Sequence, residues 1–262
     1  MSSLLALTGC GAGTWTASAP PGETVPGGPG PAEKSANEKM SARELYDAAD
    51  RAMQDLGTAR MTMRLRTGES GRSVQSDVVM DWSGENCRMT HVAVDGDGSR
   101  YTQETVRKGE DVWIKADAGS WAKALGPELG RSAEETARGR YVHGTVSQER
   151  FREAVDSCGL AHFMGNSEEP PDRLVKGPAT LRKGEHMIPL RATSTAEGDS
   201  DDDVEALLYV AAEGTPWVRE TTTSADDLSF SVEVTDYNAP FRNLPPAPSA
   251  TVDSSALASS AA

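Results

Sequence analysis

From Met61 to Trp82 apolar and polar residues alternate with a period of two. Met61, Met63 and Leu65 are separated by Thr62 and Arg64. After a glycine-containing turn, Val74, Ser76, Val78, Met80 and Trp82 alternate with Gln75, Asp77, Val79 and Asp81. Period two places alternate side chains on opposite faces, so the stretch predicts two antiparallel strands with one buried face. The scheme recurs in CRMTHVAV, in RYTQETVRKGEDVWIK, in LVKGPATLRKG, HMIPLRATST, VEALLYVAAEG and TPWVRETTT, and most cleanly in LSFSVEVTDYN. There Phe230, Val232 and Val234 face one way and Ser231, Glu233 and Thr235 the other.

Two stretches break this pattern with helical spacing. In SARELYDAADRAMQDLG, the residues Leu45, Ala48, Ala49, Ala52, Met53 and Leu56 recur at helical intervals. Ser41 and Glu44 form a capping box, and Gly57 ends the run. In VSQERFREAVDSCG, residues Phe151, Ala154 and Val155 share one side. An antiparallel meander with two helical interruptions is an α+β fold, with helices against one face of the sheet. The domain is expected over residues 41–247, and the Ala/Ser-rich segment 248–262 reads as a disordered tail.

The first forty residues follow neither period. LTGC (Leu7, Thr8, Gly9, Cys10) has the form of a bacterial lipobox: an apolar residue, two small ones and the cysteine that receives a diacylglyceryl group. Residues 11–40 are broken throughout by Gly and Pro and read as a flexible tether. Residues 1–10 form a truncated signal: the apolar part is only LLAL and no Lys or Arg precedes Cys10, so the true start is expected upstream. Two acyl chains on Cys10 suffice for stable anchoring at about 0.8 kcal/mol per buried CH₂. Lipidation at Cys10 thus predicts a protein held by its lipid at the extracytoplasmic face of a cell membrane.

The net charge of −14 sets the protein against phosphate backbones, so nucleic acid is excluded as a partner. Of the three cysteines, Cys87 and Cys158 remain for a disulfide once Cys10 is assigned, and export permits one. Both also begin C-x3-H, with His91 and His162. A zinc site is disfavoured because residues four apart on a strand lie about 13 Å from each other. DGDGS (Asp95, Asp97, Ser99) opens like a calcium loop. Arg100 and Val106 occupy the positions that need Gly and Glu, so it reads as a hairpin turn. The four histidines stand in no catalytic motif and no G-x-S-x-G occurs, so neither an enzyme nor a cofactor or metal is expected.

The order of these features resembles the LolA-like lipoprotein-carrier superfamily, and within it the actinobacterial LppX/LprG-type lipoproteins. The resemblance is carried by the lipobox and tether, the helix leading into a Met-rich strand, the hairpin RKGEDVWIK followed by GSWAK, then LVKGPATLRKG, and the closing SVEVTDYNAPFRNLPPAP. It implies a curved antiparallel sheet, a half-barrel, whose concave side is covered by helices. It also implies a cavity for the acyl chains of a lipid or glycolipid and brings no catalytic residues. Met61, Met63, Leu65, Val78, Met80 and Trp82, the apolar face of the first hairpin, are core positions and candidate walls of that cavity. Aromatic residues amount to only 5% and isoleucine occurs only at Ile114 and Ile188, which points to a small or collapsed cavity. The protein is read as a monomer. The other expectation is an envelope module of the same fold that binds a protein partner or regulates without a ligand.

Overall fold

The computed structural model describes residues 34–68, 70–159, 171–195, 203–225 and 227–259; Cys10 with its LTGC motif, and His162, lie outside them. The described residues begin with α1 (Ala36–Lys39) and α2 (Ala42–Gln54). Strands β1 (Thr58–Thr67), β2 (Ser73–Asp81), β3 (Asn86–Val94), β4 (Arg100–Lys108) and β5 (Asp111–Ala116) follow as a meander. A helical hairpin, α3 (Ala118–Leu125) and α4 (Pro127–Ala137), precedes β6 (Tyr141–Thr145) and α5 (Glu149–Val155), which runs into a 3₁₀ turn at Asp156–Gly159. A second meander has β7 (Arg173–Lys176), β8 (Thr180–Arg182), β9 (Glu185–Thr195), β10 (Asp203–Ala211), β11 (Val218–Ala225) and β12 (Leu228–Thr235). The chain closes with β13 (Thr251–Asp253) and α6 (Ser255–Ser259).

Among the described residues these strands form one open, curved sheet in the order β13-β6-β5-β4-β3-β2-β1-β12-β11-β10-β9-β7, with β8 attached to β9. Every pairing is antiparallel except that of β13 with β6. The α+β half-barrel expected from the period-two pattern is the architecture observed.

Register explains where the core sits. Val234, Met61, Val78, Met89, Thr105, Ile114 and Val142 stand opposite one another on seven consecutive strands. Each is at most 5% exposed. Residues directly across a sheet share a face, so a one-residue slip of any strand would turn its part of this row to water. Removing each large apolar side chain from water is worth about 1.5–3 kcal/mol, which fixes the register strongly. Helix α2 carries both bonds of the expected capping box, Glu44 N–H to Ser41 Oγ and Ser41 N–H to the Glu44 carboxylate. It buries Leu45, Ala49 and Met53 against the sheet.

The ends of the domain depart from the sequence reading. Residues 11–40 were expected to form a structureless tether, yet Ser35 and Glu38 close a second capping box and α1 is docked. Asn37, 3% exposed, donates its side-chain amide to the carbonyls of Ala211 (2.9 Å) and Gly214 (3.1 Å). Lys176 Nζ donates to the carbonyls of Asn37, Glu38 and Met40 at the C-terminal end of α1, where carbonyls lack the full set of intrahelical partners. Side-chain capping thus replaces the propensity that so short a helix lacks.

The expected disordered tail is likewise structured as far as Ser259. After β12 the chain crosses the sheet as a strap, held by Asn243 Nδ2 donating to the carbonyls of Cys87 (3.4 Å) and Arg107. Arg88 also donates to the Leu244 carbonyl at 2.9 Å. β13 then covers the free edge of β6, pairing Thr251 with Tyr141 and Asp253 with His143. Satisfying the backbone groups of an exposed edge orders a segment whose side chains carry little hydrophobic signal.

On the other face of the sheet Glu220 is buried, 6% exposed, beneath the β8–β9 turn. Its carboxylate accepts two bonds from Arg182 (2.7 and 3.0 Å), and Lys183 Nζ lies 3.2 Å away. The Arg182 hydrogen bonds hold its carboxyl below the usual range. A depressed folded-state value stabilises the protein above the unfolded pKa of about 4.3, and that stability is lost as pH falls through the folded value. Denaturant melts of wild type and Glu220→Gln between pH 7 and pH 3 should therefore converge with acidification, the wild type losing more. Parallel curves would show that the pair contributes nothing.

Candidate functional site

The concave side of β4, β5 and β6 does not close on itself. A cavity of about 800 Å³ lies between these strands, the α3–α4 hairpin, α5 and the C-terminal segment. Its apolar wall includes Ile114, Trp121, Leu125, Ala133, Phe151 and Ala154.

Each wall has a local cause. Asp117 caps α3 by accepting from the Ser120 N–H at 2.8 Å and holds the Thr102 N–H and hydroxyl with its other oxygen, which ties the helix start to β4. Pro127 opens α4 at its first turn. Gly130 then meets α3 so closely that a Cβ there would lie 2.4 Å from the backbone of Ala122. The hairpin is therefore tight at this crossing, and Trp121, 7% exposed, is pressed inward beside it. Opposite, Gly144 on β6 lacks the Cβ that would meet the Phe151 ring at 2.4 Å, so α5 sits directly on the strand.

The far end of α5 is fastened covalently. Cys87 on β3 and Cys158 in the 3₁₀ turn form a disulfide, with Cα atoms 6.0 Å apart and both residues fully buried. Cys87 is thereby withdrawn from the zinc alternative, and among the described residues no group of His, Cys, Asp and Glu is arranged to hold a metal ion.

The inner face beside the cavity is not wholly apolar. The row next to the core row runs Val232, Met63, Ser76, His91, Gln103 and Ala116. Ser76 Oγ and His91 Nδ1 share a hydrogen bond of 2.9 Å, and Gln103 Nε2 donates to Thr105 Oγ1 at 3.1 Å. Burial, and then the charge of Arg72, hold the His91 ring below its usual range, so it is neutral at pH 7. At the sheet edge His143 Nε2 bonds Asp111 (2.8 Å) and the ring stacks on Trp113 at 5.0 Å.

The rim is polar and acidic. The exposed residues Glu149, Glu153 and Asp253 bring three carboxylates to the lining against the single guanidinium of Arg150. Asp253 accepts from the Ser255 N–H, and the bonds from Ser255 keep its carboxyl below the usual range. Trp121 lines the cavity, while its Nε1–H is buried without a hydrogen-bond partner among the described residues. Such a lining can shelter an apolar chain and leave the head of an amphipathic molecule at a wet rim.

None of the six residues singled out in the first hairpin lines this cavity. Met61, Val78 and Met80 are fully buried, Met63 is 7% exposed, and Leu65 and Trp82 are half-buried. The structure brings Met61, Met63, Val78 and Met80 together as core with Trp82 packed against it, while the cavity lies beneath β4–β6. Missed by the sequence reading were α3, α4 and the C-terminal wall of Ser254, Ser255 and Leu257. The signals were present in Asp117 as N-cap and in Gly126-Pro127 as a stop followed by a start.

Among the described residues no helix is long and apolar enough to cross a membrane. No family model and no curated protein matches the chain. Solved structures do. LprF from Mycobacterium bovis aligns with 82% of this chain and 100% of its own, at 13% identity and a TM-score of 0.51. Lipoprotein LppX from Mycobacterium tuberculosis aligns with 78% of this chain and 100% of its own, at 13% identity and a TM-score of 0.46. At this identity the likeness to LprF is one of architecture: the chain shares the fold of LprF.

Proposed function

We propose that the protein is a lipid-anchored envelope protein that binds, and carries, an acyl-chain lipid or glycolipid in the cavity between β4–β6 and α3–α5. The observation that carries this reading is the cavity itself. At about 800 Å³ it falls within the roughly 300–1,000 Å³ range of small-molecule sites, and it combines an apolar wall with a polar rim. The LolA-like fold supports it. Anchoring belongs to the same reading: Cys10 carries the diacylglyceryl group, residues 11–33 span the distance to the domain, and the domain stands at the extracytoplasmic face of the membrane. The buried disulfide supports an oxidising compartment.

The filled trough under β1–β3 is the observation that favours the other reading, an envelope module that binds a partner without a ligand. Native mass spectrometry of the protein purified from an exporting host separates the two. A co-purifying lipid mass, removed by organic extraction and restored on re-addition, is the expected result. A bare mass together with no uptake of added lipid would overturn the carrier reading.

A further inference from the structure

The strap after β12 carries a pattern that bracing the sheet does not use. From Arg242 it reads Arg-Asn-Leu-Pro-Pro-Ala-Pro. Proline fixes φ at about −65° and pushes the residue before it to extended values, which applies here to Leu244, Pro245 and Ala247. Ala247 has φ −59° and ψ 144°, the conformation of a polyproline II helix. With about three residues per turn, such a helix lays its side chains out in ridges. Burial follows that period. Asn243 and Pro246 are half-buried, whereas Arg242, Pro245 and Pro248 on one ridge and Leu244 and Ala247 on another are exposed, Leu244 by 66%. Asn243 ties the chain to the Cys87 and Arg107 carbonyls, and the pairing of β13 with β6 fixes the far end. One ridge thus serves the fold, and the others stand in solvent on a chain that is already extended. At their head lies a second exposed cation, Arg88, bonded to the Leu244 carbonyl, in a protein whose net charge is −14.

We propose that residues 242–248 are a docking ridge for another protein, one that carries a proline-recognition groove lined by aromatic side chains and flanked by carboxylates. Leu244–Pro245 and Ala247–Pro248, about 9 Å apart along the helix, each fill one slot between aromatic rings. Arg242 meets the carboxylates. Because the strap is anchored at both ends, it docks without the full ordering cost that a free peptide of the same sequence bears. None of these residues lines the cavity, so the ridge acts independently of any lipid.

The probe is an isotope-labelled SH3 domain whose groove takes Arg-x-Leu-Pro-Pro-x-Pro ligands. It is titrated with the full protein and, separately, with a capped peptide of residues 240–250, and the resonance shifts of its groove residues report binding. The full protein should bind at least as tightly as the peptide. Leu244→Ala should weaken it about five- to tenfold, as withdrawing an apolar side chain from a slot requires. Arg242→Gln should weaken it about two- to fivefold at low salt and have no effect in about 0.5 M salt. Both side chains are exposed, so neither substitution should move the melting temperature. A residue that merely braces the sheet would do the reverse, lowering stability while leaving affinity alone.

Binding of the peptide without binding of the protein would place the ridges too close to the sheet to be reached and overturn the proposal. Binding by neither overturns it as well, and so does binding by the protein that Leu244→Ala leaves unchanged, because the contact then lies elsewhere. Uptake of added lipid should be the same in both variants and the wild type, so the docking ridge and the lipid site can each fail alone.

Discussion

Replacing Cys87 and Cys158 together by alanine should lower the melting temperature by about 10–15 °C. The disulfide closes a loop with a sequence separation of 71. In the chain-entropy model a loop of that length is worth about 4 kcal/mol, within the roughly 2–5 kcal/mol measured for native disulfides. For a domain of this size about 1 kcal/mol moves the midpoint by about 2–4 °C. The effect should also be local. Both cysteines are fully buried, and the bond is what fastens the end of α5 to β3, with Phe151 and Val155 packed on the strands between. Hydrogen exchange should therefore rise first in residues 149–159 and only later in β1–β3. Thermal melts with and without reductant provide the control: reduction should reproduce the variant's midpoint in the wild type and leave the variant's own unchanged. A midpoint that falls by less than about 3 °C would mean that packing alone holds α5, and that the disulfide is incidental to the cavity wall.

How much of this was readable from the sequence depends on which force built each part. The strands of both meanders were legible because each is half-buried, so burial is written into the chain at every second position: Met61, Met63, Val78, Met80, Val232 and Val234 are all inside. The start of α2 was legible because its cap is written in side chains that reach their own backbone. Helices α3 and α4 were not, because Gly119, Gly130, Ala133 and Ala137 serve close approach rather than amphipathic contrast, and helices this short draw their stability from packing. The segment after Pro248 reads as disorder because β13 is held by backbone pairing to β6, which leaves no side-chain signature. Asn37 looked like part of a linker, yet its amide is satisfied by carbonyls from residues more than 170 positions away.

The site was less legible than the fold for a related reason. Alternation says which side chains point inward; it does not say whether the space they enter is filled. Met61 and Met80 point inward and touch other core side chains, whereas Ile114, on the same face of the same sheet, borders open space. The difference is set by what stands opposite. Across from β1–β3 the volume is occupied by packed side chains. Across from β4–β6 a cavity is left, although Gly130 brings α4 against α3 and Gly144 brings α5 against β6. Those distances follow from tertiary packing, which no single window of sequence contains.

Filling the space should abolish whatever the space is for. Ala154 lies on α5, half-buried, and lines the cavity opposite the α3–α4 hairpin. A tryptophan in its place would project into the cavity from a helical position that tolerates a large side chain at little cost in propensity. Because the added ring enters open volume and not packed core, the overpacking penalty of about 1–3 kcal/mol should be largely avoided. The melting temperature should then stay within a few degrees of wild type while lipid affinity falls at least tenfold, a loss of about 1.4 kcal/mol or more. Met80→Ala supplies the contrast. It opens a void in the filled trough, and deletions of this kind cost about 2–5 kcal/mol of stability. It should nevertheless leave affinity per folded molecule nearly unchanged. Titrating both variants with the same lipid, after circular dichroism has set the folded fraction, separates the two regions of one inner face. If Ala154→Trp binds as the wild type does and Met80→Ala does not, the ligand enters the trough under β1–β3, and the cavity beneath α5 is a packing gap.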